Sequence, residues 1–179
     1  MKINQAAPTL FTPTNLPGYS GANNIVMVCT NANDFEYFEI DASEFPRDAH
    51  IGFTTTDSLN WWSTVLRVYL AGWAGAKSVI EYKSEIHDSI THSLSDWQTM
   101  RSQMTVRLSD GEITVLRENK KSFLSYKDLS IKKNDLRYMV VTGWSSHGTW
   151  KINVIRPGRD YLTKTSYFIN SKLTQLCSI

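Results

Sequence analysis

The chain has 179 residues, 41% of them hydrophobic, enough for one well-buried core and too few for two comfortable ones. Charged residues make up only 20%, which excludes a charge-driven disordered tail, and 19 basic against 17 acidic residues spread along the chain give no block able to neutralise a row of phosphates. The one basic cluster, Lys120-Lys121 with Lys132-Lys133, falls in turn-like sequence and reads as solvated surface, so nucleic acid is set aside as a partner.

Residues 1–24 hold three prolines, two glycines and many small polar residues, with Leu16-Pro17-Gly18 a turn. They are expected to form an extended arm leading into a single domain over residues 25–179. No apolar run of signal-peptide length opens the chain, and no later stretch approaches a membrane span. The expected location is cytoplasmic if Met1 is the native start and secreted if a leader has been removed. Short apolar segments then recur at strand length, at 25–29, 35–42, 49–55, 65–71 and 77–82. Phe38, Ile40 and Ala42 alternate with Glu39 and Asp41, so that strand has one buried and one wet face. The stretch around 83–92 reads as a polar loop. The only helix-like piece is Leu94–Met100, where Ser93 or Ser95 supplies a cap, and it is too short to serve as a crossover.

Segments 104–108 and 112–117 follow, joined by Asp110-Gly111, a dipeptide that tolerates the positive φ of a tight hairpin. Further strands are expected at 122–126, 136–142 and 149–155. The last stretch, 160–179, opens as a strand over 161–169 and ends in a tail without assignment. Without crossover helices a parallel sheet is disfavoured. The expected class is all-β: an antiparallel β-sandwich of jelly-roll or lectin-like type with at most one short helix.

Reactive chemistry is sparse in this sequence. Cys29 and Cys177 lie near opposite ends, as buried thiols or as a disulfide tying the tail to an early strand. The four histidines, His50, His87, His92 and His147, lack metal-ligand spacing, and no metal site is expected. Six carboxylates from Asp34 to Asp48 crowd the N-terminal third, but a general acid–base pair needs a pocket to be picked out. No strand leads through a Gly-x-Gly turn into a long helix, the geometry that holds a dinucleotide or S-adenosylmethionine, so no cofactor is expected.

The tryptophans carry more. Trp73 and Trp144 each follow a glycine at the end of an apolar strand, and each is expected to fold back over the sandwich end as a core cap. The two Gly-Trp turns are either related hairpins or a recurrent way of turning a strand. Trp61 and Trp62 are adjacent, and in an extended segment neighbours point to opposite faces, so one is expected inside and one exposed. Asp57, Asn60, Trp61 and Trp62, with Trp144, Ser146 and His147 of the second Gly-Trp loop, are therefore the expected ligand-contacting edge.

Four segments also resemble one known family. They are Asp48-Ala49-His50-Ile51-Gly52-Phe53-Thr54, the run from Leu70 through Gly72-Trp73 to Ile80, Phe123-Leu124-Ser125-Tyr126, and the run from Val141 through Gly143-Trp144 to Gly148-Thr149-Trp150. In order and spacing, over about residues 34–153, they are similar to the farnesoic-acid-O-methyltransferase-like domain of arthropod and other animal proteins. Ala71 departs from the pattern, standing where the family usually has a second glycine, as does Ala74-Gly75-Ala76, where a polar turn is usual. The resemblance implies an S-adenosylmethionine-dependent methyl transfer to farnesoic acid. It also implies company with lectin-like modules in larger proteins.

Weighed together, the residues favour a non-catalytic binding module for a carbohydrate or another extended ligand. The methyltransferase is the alternative enzymatic expectation. A structural or host-interaction protein, with Trp61-Trp62 in a protein interface, is the third.

Overall fold

The computed structural model describes residues 26–29, 37–56, 61–143, 150–157, 162–169 and 174–176. The expected arm over 1–24 lies outside them. In chain order the strands are β1 (Val26–Cys29), β2 (Tyr37–Asp41), β3 (Ala49–Thr54), β4 (Leu66–Ala71), β5 (Lys77–Tyr82), β6 (Glu85–Thr91) and β7 (Met104–Ser109). They continue as β8 (Glu112–Arg117), β9 (Ser122–Lys127), β10 (Tyr138–Gly143), β11 (Trp150–Pro157), β12 (Leu162–Ile169) and β13 (Thr174–Leu176). Every expected strand is present within two residues of its expected bounds. β6 replaces the expected polar loop and carries His87, and the short β13 lies in the unassigned tail.

The larger sheet has the order β13-β1-β10-β3-β4-β5-β6 and the smaller β12-β11-β2-β7-β8-β9. Neighbours pair antiparallel, as expected for this class, with the single exception among the described strands that β1 and β13 run parallel. The parallel pair needs no local crossover, because its strands come from opposite ends of the chain. Cys29 closes β1, whereas Cys177 lies outside the described residues.

The alternation read from the sequence sets the core. Phe38 and Ile40 of β2 and Met104, Val106 and Leu108 of β7 point inward from the smaller sheet against Ile51, Phe53, Val68 and Leu70 of the larger. Phe38 and Phe53 meet across the interior with ring centroids 6.2 Å apart. One end is closed by the helix Leu94–Met100, whose first turn is held by a reciprocal capping box between Ser93 and Asp96. The helix drives Trp97 fully into the core, where its indole N–H donates to the Phe45 carbonyl at 3.1 Å. The edge strands β6 and β9 close one flank. The Ser125 N–H donates to Asp88 Oδ2 at 2.7 Å, and His87 stacks on Tyr126 at 4.1 Å. The Asp88 carboxylate thus occupies a backbone donor on an edge strand that would otherwise invite another strand.

Candidate functional site

β3 is buried on both faces along its whole length. Its inner face, Ala49, Ile51 and Phe53, belongs to the core, while His50, Gly52 and Thr54 point outward and are covered as well. The cover is the 3-10 turn Trp61–Ser63. Gly52 makes this approach possible, since a β-carbon there would stand 2.6 Å from Thr64 Cγ2 and 3.0 Å from Trp61 Cζ3.

The turn is fixed by one buried cation. Arg67, on the outer face of β4, donates through Nε to Thr64 Oγ1 at 2.8 Å and through Nη2 to the Trp62 carbonyl at 3.2 Å, and its Nη1 pairs with Glu81 of β5. Thr64 Oγ1 in turn donates to the Trp61 carbonyl. As a result Trp61 is buried at 1% exposure and Trp62 stands 54% exposed, with the Arg67 guanidinium 5.7 Å from its ring. The expected division of the pair holds, but a 3-10 turn produces it rather than an extended segment.

Around Trp61 the outer face is aromatic. Register pairs His50 with Tyr69, and their rings meet edge-on at 4.8 Å. Trp61 lies 5.7 Å from His50 and 5.8 Å from Tyr69, and Tyr69 meets Trp73 at 5.9 Å. Trp73 is 54% exposed, with Lys77 Nζ 5.4 Å from its ring, so it is not the expected core cap. The backbone explains the difference. Ala71, Trp73 and Ala74 all adopt left-handed conformations, with φ of 52°, 51° and 60°, and this turn carries the indole outward. Left-handed non-glycine residues cost about 1–2 kcal/mol each and persist where their surroundings hold them. The Ala71 N–H donates to buried Ser78 Oγ at 2.9 Å, Ser78 Oγ bonds His92 Nε2 at 2.8 Å, and the Ala71 carbonyl accepts from the Asp48 N–H at 2.9 Å. The position where the resembled family carries glycine is thus one of positive φ.

Asp48, His50, Trp61, Trp62, Tyr69, Gly72 and Trp73 line an open pocket of about 240 Å³. Burial pushes the His50 imidazole down to about 3, so it is neutral at physiological pH. Burial also raises the Asp48 carboxyl, against the lowering pull of Arg47 at 3.5 Å. Burial and the Glu81 carboxylate raise the Tyr69 phenol, opposed by Arg67 and by hydrogen bonds to Trp61 and Arg67. The pocket therefore offers flat apolar surface, one carboxyl group and a neutral imidazole. Such a wall can stack a ring and orient it with few polar contacts.

Of the residues expected from sequence, the structure brings Trp61 and Trp62 to this pocket. Asp57, Asn60, Trp144, Ser146 and His147 lie outside the described residues. Asp48, His50, Tyr69 and Trp73 were missed as site residues. The signal was available in two of the resembling segments, Asp48-Ala49-His50 and Gly72-Trp73, which the β3–β4 register joins at one end of the larger sheet. Among the described residues no three His, Cys, Asp or Glu side chains gather as metal ligands. A sequence model of the family described as Farnesoic acid 0-methyl transferase matches residues 24–154. No curated protein and no solved structure matches the chain.

Proposed function

The chain belongs to the farnesoic acid O-methyltransferase domain family, and from that premise we propose that it is a non-catalytic binding module that recognises a carbohydrate at the aromatic pocket of its larger sheet. The observation that carries this reading is the pair of half-exposed indoles, Trp62 and Trp73, at the mouth of one pocket. Each indole keeps one cation beside it, Arg67 for Trp62 and Lys77 for Trp73, and still presents half of its surface, for which the carbon face of a sugar ring is a suitable cover. Buried Trp61 and Tyr69 hold the floor, and Asp48 supplies a polar group for a ring hydroxyl.

Methyl transfer to farnesoic acid is the second reading, favoured by the family description and by the apolar wall of the pocket. Against it stands the connectivity of the described residues. The left-handed turn at Gly72 runs straight into β5 and the Gly111 turn into β8, so neither presents a helix N-terminus to a cofactor's ribose or carboxylate. The test is a glycan array probed with the parent protein, Trp62→Ala and Trp73→Ala, beside an assay for methyl farnesoate formation from S-adenosylmethionine. Glycan capture weakened in both variants, with no ester formed, supports the module. Ester formation that requires the protein would replace it with the enzyme.

A further inference from the structure

The outer face of the smaller sheet, on the opposite side of the sandwich, carries a second and roomier cleft of about 460 Å³. It sits where β2 and β7 stop pairing after Ile40 and Met104, and the turn bearing Glu118 and Lys120 forms one wall. Its size falls within the range of about 300–1,000 Å³ usual for small-molecule sites, which the aromatic pocket does not reach.

The register lays polar side chains across it in rows. Asn153, Glu39 and Thr105 lie side by side on β11, β2 and β7, and Lys151 lies beside Asp41 one row along. Neighbouring strands are about 4.8 Å apart, so each row spaces its polar groups at intervals that one small ring can bridge. The rows are pre-oriented. Asn153 Nδ2 donates to Glu39 Oε2 at 3.2 Å, Lys151 Nζ donates to Asp41 Oδ2 at 3.2 Å, and the Ser43 N–H donates to Asp41 Oδ1 at 2.8 Å. Burial draws the Asp41 carboxyl upward, but the Ser43 bonds and Lys151 outweigh it and hold the group below its ordinary range, so it stays an acceptor. These pairs leave the Asn153 amide oxygen and further Lys151 protons to meet a ligand.

The chemistry of the walls narrows the ligand. Among the described residues, three carboxylates, Glu39, Asp41 and Glu118, against two ammonium groups, Lys120 and Lys151, disfavour a phosphate or another anion. Among the described residues no aromatic side chain lines the cleft, which disfavours an apolar chain. Alternating donors and acceptors match hydroxyl groups, each of which both donates and accepts. We propose that this cleft is a second binding site, taking a neutral polyhydroxylated ligand of short-oligosaccharide size, so that the sandwich is divalent with one site on each outer face.

The site stands apart from the aromatic pocket, and the two readings can fail separately. The experiment is a backbone amide NMR titration of the whole chain with cellotriose, maltotriose and chitotriose at millimolar concentration, repeated on Asn153→Ala, Asp41→Asn and Trp62→Ala. At least one trisaccharide is expected to shift the amides of β2 and β11 saturably. Asn153→Ala and Asp41→Asn should each weaken that binding about tenfold or more, whereas Trp62→Ala should leave it within about twofold. Retained amide dispersion in either cleft variant separates a lost contact from a lost fold. The proposal is overturned if no trisaccharide moves these amides, or if the shifts vanish in Trp62→Ala and survive in both cleft variants.

Discussion

Trp61 and Trp62 differ by one position in sequence and by burial against exposure in the fold, so the same substitution should have two outcomes. Trp61→Ala empties the cover of β3 and should cost about 3–5 kcal/mol in chemical denaturation. Trp62→Ala removes an exposed ring and its contact with Arg67, and should cost no more than about 1 kcal/mol while weakening glycan binding at the aromatic pocket. Equal large losses from both would make the pair simple core. His50 gives a second check. Its imidazole titrates near 6.5 when unfolded and at about 3 when folded. Between these values the unfolded chain binds the extra proton, so stability contributed by neutral His50 is complete above about 6.5 and falls with pH by up to about 1.4 kcal/mol per unit. Unfolding free energies measured at several pH values should lose this component in His50→Gln, and identical slopes in parent and variant would mean that the imidazole is solvated. The Trp61-Trp62 division was legible in the sequence because two adjacent indoles could not share one face. The role of His50 was not, because its aromatic neighbours come from a turn and from another strand.

Gly52 in β3 shows how one missing side chain admits a whole element. Gly52→Ala would drive a methyl group into Thr64 and Trp61, and overpacking of this kind costs about 1–3 kcal/mol. Relief requires Thr64 and the Trp61 ring to give way, so the variant should also weaken glycan binding at the aromatic pocket although Trp62 and Trp73 are unchanged. Unchanged melting and unchanged binding together would show that the turn is not seated on Gly52. The strands themselves were legible wherever inward positions alternate, as in β2 and β7. β6 was not, for two physical reasons. It is polar and exposed along much of its length, and its hairpin turn is Lys83-Ser84, both residues at positive φ without glycine or asparagine to announce it. Glycine should suit that turn better. Ser84→Gly is expected to raise stability by about 0.5–1 kcal/mol, the relief of left-handed strain exceeding the entropy that glycine adds to the unfolded chain. A loss of stability would mean that the Ser84 side chain holds the turn.

The two sheets share one interior, and their outer faces carry an aromatic pocket on the larger and a polar cleft on the smaller. That division follows from period-2 alternation, since whatever does not enter the core must stand on an outer face. The sandwich class was therefore readable from patterning, and the family from its four segments. The order of strands within each sheet was not, because it depends on long-range pairings such as β2 with β11 and β1 with β13 that no local signal encodes. The aromatic pocket is a product of such pairing, and its role as a binding site requires that a ligand cover it. The most direct test is fluorine NMR of protein labelled with fluorotryptophan, titrated with the glycans captured on the array and, separately, with S-adenosylmethionine. The Trp62 and Trp73 resonances should shift saturably with glycan while those of buried Trp97 and Trp150 stay fixed, and S-adenosylmethionine should move none of them. Glycans that leave every indole unmoved, or S-adenosylmethionine that shifts Trp62 and Trp73 saturably, would contradict the proposed module.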